Sequence, residues 1–304
     1  MNRIFVLICA TCLVAPSASA VTIAWTPVGN PGNAADPADG DANTDGIQHF
    51  GAVSYNYNIG TYDVTNSQYA EFLNAKDSSG LNPLGLYNSQ MSDAANFGGI
   101  NFNNGNLPGS KYSVISGDGN HPVNFVTFYD TLRFANWLNN GQGTGNTETG
   151  AYTLLGGSPT PSNGNSITRN PGATVFLPSE NEWYKAAYYN PATSSYFKYP
   201  TSSNTAPTAS VPTGAINSAN YNKVVKNLTN VGAYTGTTSP YGAFDMGGNV
   251  YQWDEALIGG SFRGLRGGSF FENSNGLLSS FRITFLVPTG EGLLIGFRVA
   301  SVAP

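Results

Sequence analysis

Cysteine is nearly absent from this chain of 304 residues, because only Cys9 and Cys12 occur. Both lie within residues 1–20, which begin with a short positive segment and continue through a largely apolar run. Residues 18–20 (ASA) supply the small-x-small pattern that precedes a signal-peptidase cut. We therefore predict that residues 1–20 are an export signal. The mature chain, residues 21–304, then has no thiol and can form no disulfide, thiolate metal site or cysteine nucleophile.

Charge is scarce as well. Only 10% of the residues are Asp, Glu, Lys or Arg, and the formal net charge is -5 at pH 7. So few cations cannot neutralise a run of phosphates, and we expect no nucleic-acid partner. The apolar run in residues 4–16 is too short to cross a bilayer, so we expect no transmembrane segment in the mature chain. The sequence predicts an exported protein that is periplasmic, on the cell surface or secreted.

Glycine and aromatic residues, unlike charged residues, are abundant. The sequence has 37 Gly, 17 Phe and 17 Tyr. A disordered chain would have fewer aromatic residues, so this composition favours a loop-rich extracellular fold with aromatic packing. Residues 141–170 and 190–218 are rich in Gly, Ser, Thr, Asn and Pro, and we predict that they are surface loops inside one domain.

Three segments carry the same helix-start signal. They are residues 65–68 (TNSQ), 127–130 (TFYD) and 179–182 (SENE), each followed by apolar residues at helical spacing. In such a capping box the first side chain bonds an otherwise unpaired amide of the first turn. The chain is therefore predicted to contain at least three helices. We expect the tryptophans of the helical and later segments, Trp137, Trp183 and Trp253, to lie in the core.

Short strands are predicted elsewhere. Residues 53–59 alternate apolar and polar side chains, as a half-buried strand does. Residues 268–271 and 295–300 are further candidates.

Six segments, in order along the chain, resemble the formylglycine-generating enzyme family, also called sulfatase-modifying factors. They are IGTYDVTNSQYAEFLN from residue 59, HPVNFVTFYDTLRFANWLN from 121, FLPSENEWYKAAYY from 176, YGAFDMGGNVYQW from 241, RGLRGGSF from 263 and IGFRVA from 295. The resemblance implies an irregular, loop-rich α+β fold akin to C-type lectins, with few capped helices and short antiparallel strands. It also implies that residues 21–304 form a single domain.

The resemblance locates the family's reaction centre. Active members carry two cysteines shortly after the Arg-Gly-Gly-Ser turn, which bind copper and oxidise a substrate cysteine. The corresponding residues here are Glu272 and Leu277, and both are expected to line the groove. Neither offers the sulfur that Cu(I) needs, so copper is not expected. A related branch binds iron through three histidines, but only His49 and His121 exist here, so iron is not expected. His121 is predicted to be a structural, hydrogen-bonded residue. Arg266, retained before the Gly-Gly turn, is predicted to be a structural hydrogen-bond donor to backbone or carboxylate.

Calcium is the metal that the resemblance leaves open. Family members bind it through positions that map to Asp245, Gly248, Val250 and Gln252, with Gln252 replacing the usual glutamate. The alternative is a Gly-Gly turn in which Asp245 caps backbone amides. A second acidic stretch, residues 41–46 (DANTDG), matches the front half of an EF-hand loop. Because Ala52 stands where that loop needs a bidentate Glu, we predict a solvated loop without calcium.

The sequence therefore predicts a non-catalytic binding module for an extracellular protein or glycan. No catalytic residue is assigned, since the scattered carboxylates, Asp254 and Glu255 among them, show no pairing that marks acid–base chemistry. The expected contact residues lie in the segment where relatives carry the active-site groove. They are Phe271, Glu272, Asn273, Asn275, Phe281, Phe285, Leu286 and Glu291. The alternative is an oxidoreductase of the same family that oxidises a substrate cysteine through a non-standard site.

Overall fold

A computed structural model describes residues 20–37 and 49–303 of the chain. The predicted signal peptide, apart from its last residue, and the acidic loop at residues 41–46 lie outside the described residues. Within those ranges the α-helices are α1 (Asn66–Lys76), α2 (Phe128–Asn139) and α3 (Glu180–Tyr188). Short 3-10 turns occur at Ser89–Ser92, Ala94–Asn96, Gly164–Ser166 and Ser274–Leu277. None of the described helices is long and apolar enough to cross a membrane.

The strands are short, and most lie in loop-rich surroundings. They are β1 (Trp25–Val28), β2 (Tyr57–Gly60), β3 (Ile100–Phe102), β4 (Tyr112–Val114), β5 (Val175–Phe176), β6 (Tyr189–Asn190), β7 (Ser195–Tyr196), β8 (Thr208–Ala209), β9 (Ser218–Ala219), β10 (Tyr251–Ile258), β11 (Phe262–Arg266), β12 (Ile283–Leu286), β13 (Ile295–Gly296) and β14 (Ala300–Val302). Helices and short strands together give the irregular α+β architecture that the sequence predicts.

Two four-stranded sheets organise the chain. The first sheet has the order β1-β2-β14-β5 and is antiparallel throughout. The second sheet has the order β12-β11-β10-β13, in which only the β10–β13 pair is parallel. The remaining strands form the two-stranded pairs β3-β4, β6-β7 and β8-β9. The turn that follows β11 of the second sheet is the segment to which the resemblance assigns the family's reaction centre.

Each predicted helix begins at its predicted capping box. The Thr65 hydroxyl accepts from the Gln68 amide at 3.3 Å, and the Gln68 side chain accepts from the Thr65 amide at 2.9 Å. Thr127 with Asp130, and Ser179 with Glu182, form the same reciprocal pair. These local bonds satisfy amides that a helix start leaves unpaired, which is why the three starts could be read from sequence.

Aromatic side chains fill the main core between α1, α2 and the two sheets. The Tyr69 and Phe134 rings lie 6.0 Å apart, and Phe134 meets Phe297 edge-on at 5.3 Å. Such offset and edge-to-face contacts stabilise the core beyond the area they bury. The tryptophans predicted to be in the core are all buried. Trp137 and Trp253 lie in this main core, and Trp183 lies in a second buried cluster with Tyr57 and Tyr184.

Two strand predictions are wrong in part or whole. Residues 268–271 do not form a strand, because Gly267 and Gly268 adopt φ of 95° and 71° and turn the chain away after β11. Of residues 53–59, only the last three enter β2, since the Val53 carbonyl accepts from the Gly32 amide of a neighbouring loop. The two predicted surface loops are mostly irregular, with only a 3-10 turn and very short strands.

The predicted strand at residues 295–300 is divided between the two sheets. Ile295–Gly296 is β13 of the second sheet, and Ala300–Val302 is β14 of the first. The chain crosses between the sheets at residues 297–299. This crossing buries Arg298 completely at the junction of the two sheets, where it meets the residues mapped to the family's calcium site.

Candidate functional site

The turn after β11 is held by close backbone approach. A Cβ placed on Gly268 would lie 2.8 Å from the Gly276 carbonyl oxygen, so a larger residue would collide with the 3-10 turn that follows. The Gly248 amide also donates to the Gly267 carbonyl at 2.9 Å, which joins this turn to the start of β10. Glycine is required at Gly268 both for its positive φ and for this approach.

Arg266 forms hydrogen bonds to the segment that follows the same turn. Its Nε donates to Glu180 Oε1 at 2.7 Å, and Nη1 donates to the carbonyls of Ser279 and Phe281 at 2.9 and 3.0 Å. Arg282 bonds the other oxygen of Glu180 at 2.7 Å. The expectation from sequence that Arg266 serves as a structural hydrogen-bond donor is confirmed, because its donors go to a carboxylate and to the backbone of the segment it supports.

The two positions that correspond to the family's cysteines differ in exposure. Glu272 lies at the surface and is partly exposed, and its carbonyl accepts from the Asn222 amide at 2.6 Å. Leu277 is 0% exposed and packs in a small core cluster with Tyr199, Ala219 and Tyr221. The expectation that Leu277 lines the groove is wrong. An isobutyl side chain gains more by packing against these rings than by facing solvent.

Four of the expected contact residues stand together on this turn: Phe271, Glu272, Asn273 and Asn275, here called the polar-aromatic turn. Phe271 is 48% exposed, and Asn273 and Asn275 are also exposed. Lys223 Nζ lies 3.7 Å from the centre of the Phe271 ring, a cation–π contact that fixes one side of the surface. The turn thus presents an aromatic face, amides and both charge signs within a few residues.

The other expected contact residues lie elsewhere. Phe285 is on β12, at the edge of the second sheet, and is 72% exposed. Phe281 and Leu286 are partly buried and pack against the main core instead. Glu291 accepts from the Asn88 amide and lines a separate cleft of about 420 Å³ together with Asp130. Of the eight residues, four are thus contiguous on the polar-aromatic turn, two pack on the core, one is exposed on an edge strand and one lines a cleft of its own.

The residues mapped to calcium are brought together, but the side-chain oxygens of Gln252 and Asp245 already accept hydrogen bonds. Gln252 Oε1 accepts from Trp183 Nε1 at 2.7 Å and from Arg298 Nε at 2.6 Å, so both of its lone-pair directions are used. Gln252 Nε2 donates to the Asp245 carbonyl at 2.8 Å. The Arg298 guanidinium also donates to the carbonyls of Phe244 and Asp245, at 2.9 and 3.1 Å.

A guanidinium therefore bonds directly to the Gln252 oxygen through which calcium would be held. The Asp245 carboxylate has a different partner, since its Oδ2 accepts from the Gly232 amide at 2.6 Å. Burial raises the pKa of Asp245 to about 6. The mapped set, with a single, partly exposed acid and a saturated glutamine beside an arginine, does not fit calcium. No three His, Cys, Asp or Glu side chains converge as a metal site anywhere in the described ranges.

A charged cluster that the sequence did not indicate lies on the far side of α3. Arg169 Nη2 donates to Glu182 Oε2 at 2.6 Å and to Glu255 Oε2 at 2.8 Å, and its Cζ lies 3.5 Å from the centre of the Phe176 ring. Burial alone would raise the pKa of Glu182, but the Arg169 bonds hold it below its ordinary value. Glu182 was recognised from sequence only as a capping residue, and nothing linked it to Arg169.

Asp254 and Glu180 form a second pair of neighbouring acids. Asp254 is fully buried, and burial together with the nearby Glu180 charge raises its pKa to about 8. The Asp254 Oδ1 atom accepts from the Ala256 amide at 2.8 Å, whereas Oδ2 has no hydrogen-bond partner. Glu180 is neutralised by Arg266 and Arg282. Asp254 lies on β10 and Glu180 begins α3. Glu180 lines an open cleft of about 600 Å³, whereas the enclosed Asp254 carboxylate does not line it and acts on stability.

His121 has the structural role that its sequence context predicts. Its Nδ1 lies 3.3 Å from the Asp118 carboxylate, and its carbonyl accepts from the Asn66 amide at the start of α1. Burial lowers the pKa of His121 from its ordinary value, although Asp118 opposes the shift. His121 thus joins the start of α1 to the loop between β4 and α2.

Comparison with solved structures identifies the same architecture in other proteins. Treponema denticola variable protein 1 is 20% identical with a TM-score of 0.59, over 94% of this chain and 98% of its own. CarF is 20% identical with a TM-score of 0.59, over 93% and 99% of the two chains. PvdO from Pseudomonas aeruginosa is 18% identical with a TM-score of 0.51, over 89% and 90%. At these identities the likeness shows a shared fold.

No curated protein sequence matches the chain. A family model, by contrast, matches nearly all of it. The model is the Sulfatase-modifying factor enzyme 1-like domain, and it matches residues 29–303. This match spans the second sheet, the first sheet apart from β1, the three described helices and the turn after β11. The chain therefore belongs to the family of sulfatase-modifying factor enzyme 1-like domains.

Proposed function

We propose that this protein is an exported, non-catalytic binding module that contacts an extracellular protein or glycan through the polar-aromatic turn. One observation carries the proposal. At the positions where active relatives are expected to hold their cysteine pair, this chain has a surface glutamate, Glu272, and a fully buried leucine, Leu277. The side chains that would perform the oxidation are replaced, and one of the two positions has become part of a core.

The surface that remains suits recognition. Phe271 supplies an exposed ring, and Asn273 and Asn275 supply amide donors and acceptors beside it. Aromatic rings flanked by amides serve both protein and saccharide contacts, because the ring offers apolar area and the amides fix orientation. The bonds of Asn222 and Lys223 amides to the Glu272 and Phe270 carbonyls hold the turn in place before a ligand arrives. A rigid surface loses less entropy on binding.

A binding screen with matched variants tests this proposal. Protein secreted without residues 1–20 is applied to a glycan array and to immobilised extracellular proteins of the same cells. For any ligand found, Phe271→Ala and Asn273→Ala should each weaken binding by about tenfold or more. Leu155→Ala removes a comparably exposed apolar side chain, at 51% against 48% for Phe271, outside the turn and should leave affinity unchanged. Turn variants that bind as tightly as the unmodified protein would contradict the proposal.

A further inference from the structure

Arg263, on β11, is a buried cation without a contacting carboxylate among the described residues. It is 2% exposed. Its Nη1 donates to the Glu255 carbonyl at 3.0 Å, and Nη2 donates to the carbonyls of Gly164 and Ile167 at 2.9 and 3.4 Å. Its Cζ lies 4.3 Å from the centre of the Phe128 ring. Nε is buried and has no hydrogen-bond partner.

The other arginines of the described ranges differ from Arg263 in this respect. Each has a carboxylate oxygen within 2.6 to 2.8 Å: Arg133 with Glu148, Arg169 with Glu182 and Glu255, Arg266 and Arg282 with Glu180, and Arg298 with Asp63. The fold thus neutralises its buried arginines as a rule. Arg263 is bonded only by neutral carbonyls.

Burying Arg263 without a carboxylate partner destabilises the fold unless an anion binds beside its guanidinium. A buried charge without a counter-ion loses its hydration and gains no full Coulombic partner. Burial accordingly lowers the pKa of Arg263 from its ordinary value. The two carboxylates of β10 that act electrostatically on Arg263 do not bond it. Glu255 is already engaged, because Arg169 donates to both of its oxygens and the Tyr152 hydroxyl donates to one, and Asp254 accepts from the Ala256 amide.

A cavity lies against the Arg263 side chain. Its volume is about 150 Å³. About 10 to 15 Å³ of such space holds one water, so this cavity has room for a small organic molecule. Its lining combines apolar walls with polar groups: Phe128, Tyr152, Asn165, Ile167, Thr168, Arg169, Glu255, Leu257 and Arg263. Thr168 is exposed and Leu257 is 45% exposed, so the cavity has an opening to solvent.

We propose that this cavity binds a short monocarboxylate, whose carboxylate group lies beside the guanidinium of Arg263 and whose apolar body packs against Phe128 and Ile167. The site is separate from the polar-aromatic turn, and the proposal does not depend on the function assigned to that turn.

Several features favour this ligand over others. Guanidinium groups match the planar geometry of a carboxylate, and Arg263 and Arg169 each have five N–H donors, not all of which are used. The apolar walls disfavour a fully hydrated inorganic anion, which would have to lose its water without replacement contacts. A cation is disfavoured because Glu255 is neutralised by Arg169. The volume limits the ligand to a body of a few carbon atoms.

Isothermal titration calorimetry with propionate tests the proposal. The measurement uses the full mature protein near neutral pH, with sodium chloride adjusted so that ionic strength is constant. Propionamide has nearly the same shape without the charge, and it should bind at least about tenfold more weakly than propionate. Thr168→Trp places an indole at the opening and should reduce propionate affinity at least about tenfold. Ser166→Trp adds the same group to an exposed neighbour in the loop that does not line the cavity and should leave affinity unchanged.

Three results would overturn the proposal. They are the absence of saturable heat with propionate, equally tight binding of propionamide, and equal propionate affinity of the two tryptophan variants. Displacement of propionate by chloride at equal concentration would show a general anion site and would also overturn it. Because the readout is small-molecule binding and not ligand capture by the turn, failure here leaves the binding-module proposal intact. The comparison of propionate with propionamide uses the unmodified protein, so it does not depend on how either tryptophan variant folds.

Discussion

The side-chain oxygen of Gln252 accepts a hydrogen bond of 2.6 Å from Nε of Arg298, and both residues are fully buried. The same oxygen accepts from the Trp183 indole. Where the family resemblance implies a calcium ligand, this chain has an amide that joins β10, α3 and the crossing segment between the sheets. The positive group at this junction is the guanidinium of Arg298.

We predict that Gln252→Ala lowers the free energy of unfolding by about 2 to 4 kcal/mol, because it leaves two buried donors, one of them charged, without an acceptor. Gln90→Ala, at an exposed position, should stay within about 0.5 kcal/mol of the unmodified protein. Urea unfolding followed by tryptophan fluorescence measures both. Equal midpoints for the two variants would contradict the role assigned to Gln252.

The same geometry makes a prediction about calcium. If Arg298 and not a metal ion holds this junction, a chelator should leave Tm unchanged, and added calcium should not raise it. A bound ion present at a hundred times its Kd would stabilise the native state by about 2.7 kcal/mol, which a thermal melt detects readily. A chelator-dependent drop in Tm that Asp245→Ala abolishes would restore the calcium assignment.

Gly268→Val should be among the most destabilising single changes in the chain. The position has φ of 71°, and its Cβ would meet the Gly276 carbonyl at 2.8 Å. Backbone strain and overpacking together should cost about 3 kcal/mol or more. Gly242→Val separates the two terms, because Gly242 also has a positive φ, of 98°, but a Cβ there meets nothing within 4 Å. Chemical denaturation of both proteins should show a larger loss for Gly268→Val.

Restoring cysteines at the family positions should not restore a paired site. Glu272→Cys is at the surface and should be neutral. Leu277→Cys shortens a fully buried side chain between Tyr199 and Tyr221 and should cost about 1 to 3 kcal/mol. Because the Leu277 side chain is enclosed, the double variant should bind Cu(I) no more tightly than Glu272→Cys alone. Competition with a Cu(I)-selective dye measures this, and cooperative binding by the double variant would contradict the packing described.

Asp254 should make stability depend on pH. Its folded-state pKa of about 8 is raised above the unfolded value. Its contribution is therefore fully present below about pH 4 and decreases as pH rises until about pH 8. Asp254→Asn remains neutral at every pH and should flatten this part of the profile. Urea midpoints at about pH 5 and about pH 8 test the sign, and an unmodified protein that gains stability over this interval through Asp254 would refute it.

The features that sequence predicted well are those fixed by local chemistry. A capping box needs only four consecutive residues, so the starts of α1, α2 and α3 could be placed. The buried tryptophans followed from their positions in the family motifs, on α2 and α3 for Trp137 and Trp183 and on β10 for Trp253. The role of Arg266 could also be anticipated, since a guanidinium in a buried Gly-Gly segment must find acceptors.

The features that sequence missed depend on distant partners. Arg169 meets Glu255, which lies 86 residues away, in a cluster that no short motif records. Leu277 was assigned to a groove by its position in the family pattern, but its orientation is set by Tyr199 and Tyr221 from a separate loop. The strand predicted at residues 268–271 was wrong because the prediction relied on the apolar residues there. The positive φ of Gly267 and Gly268 turns the backbone away from a strand conformation.

The central claim is that the family's oxidation site is absent from this member of the family. The most direct measurement incubates the purified mature protein with copper, oxygen and a cysteine-containing sulfatase peptide, and follows conversion of that cysteine to formylglycine by mass spectrometry. We predict no conversion above that of a heat-denatured sample. Sustained turnover that is lost on heating, by a protein in which Glu272 and Leu277 replace the cysteines, would contradict the account.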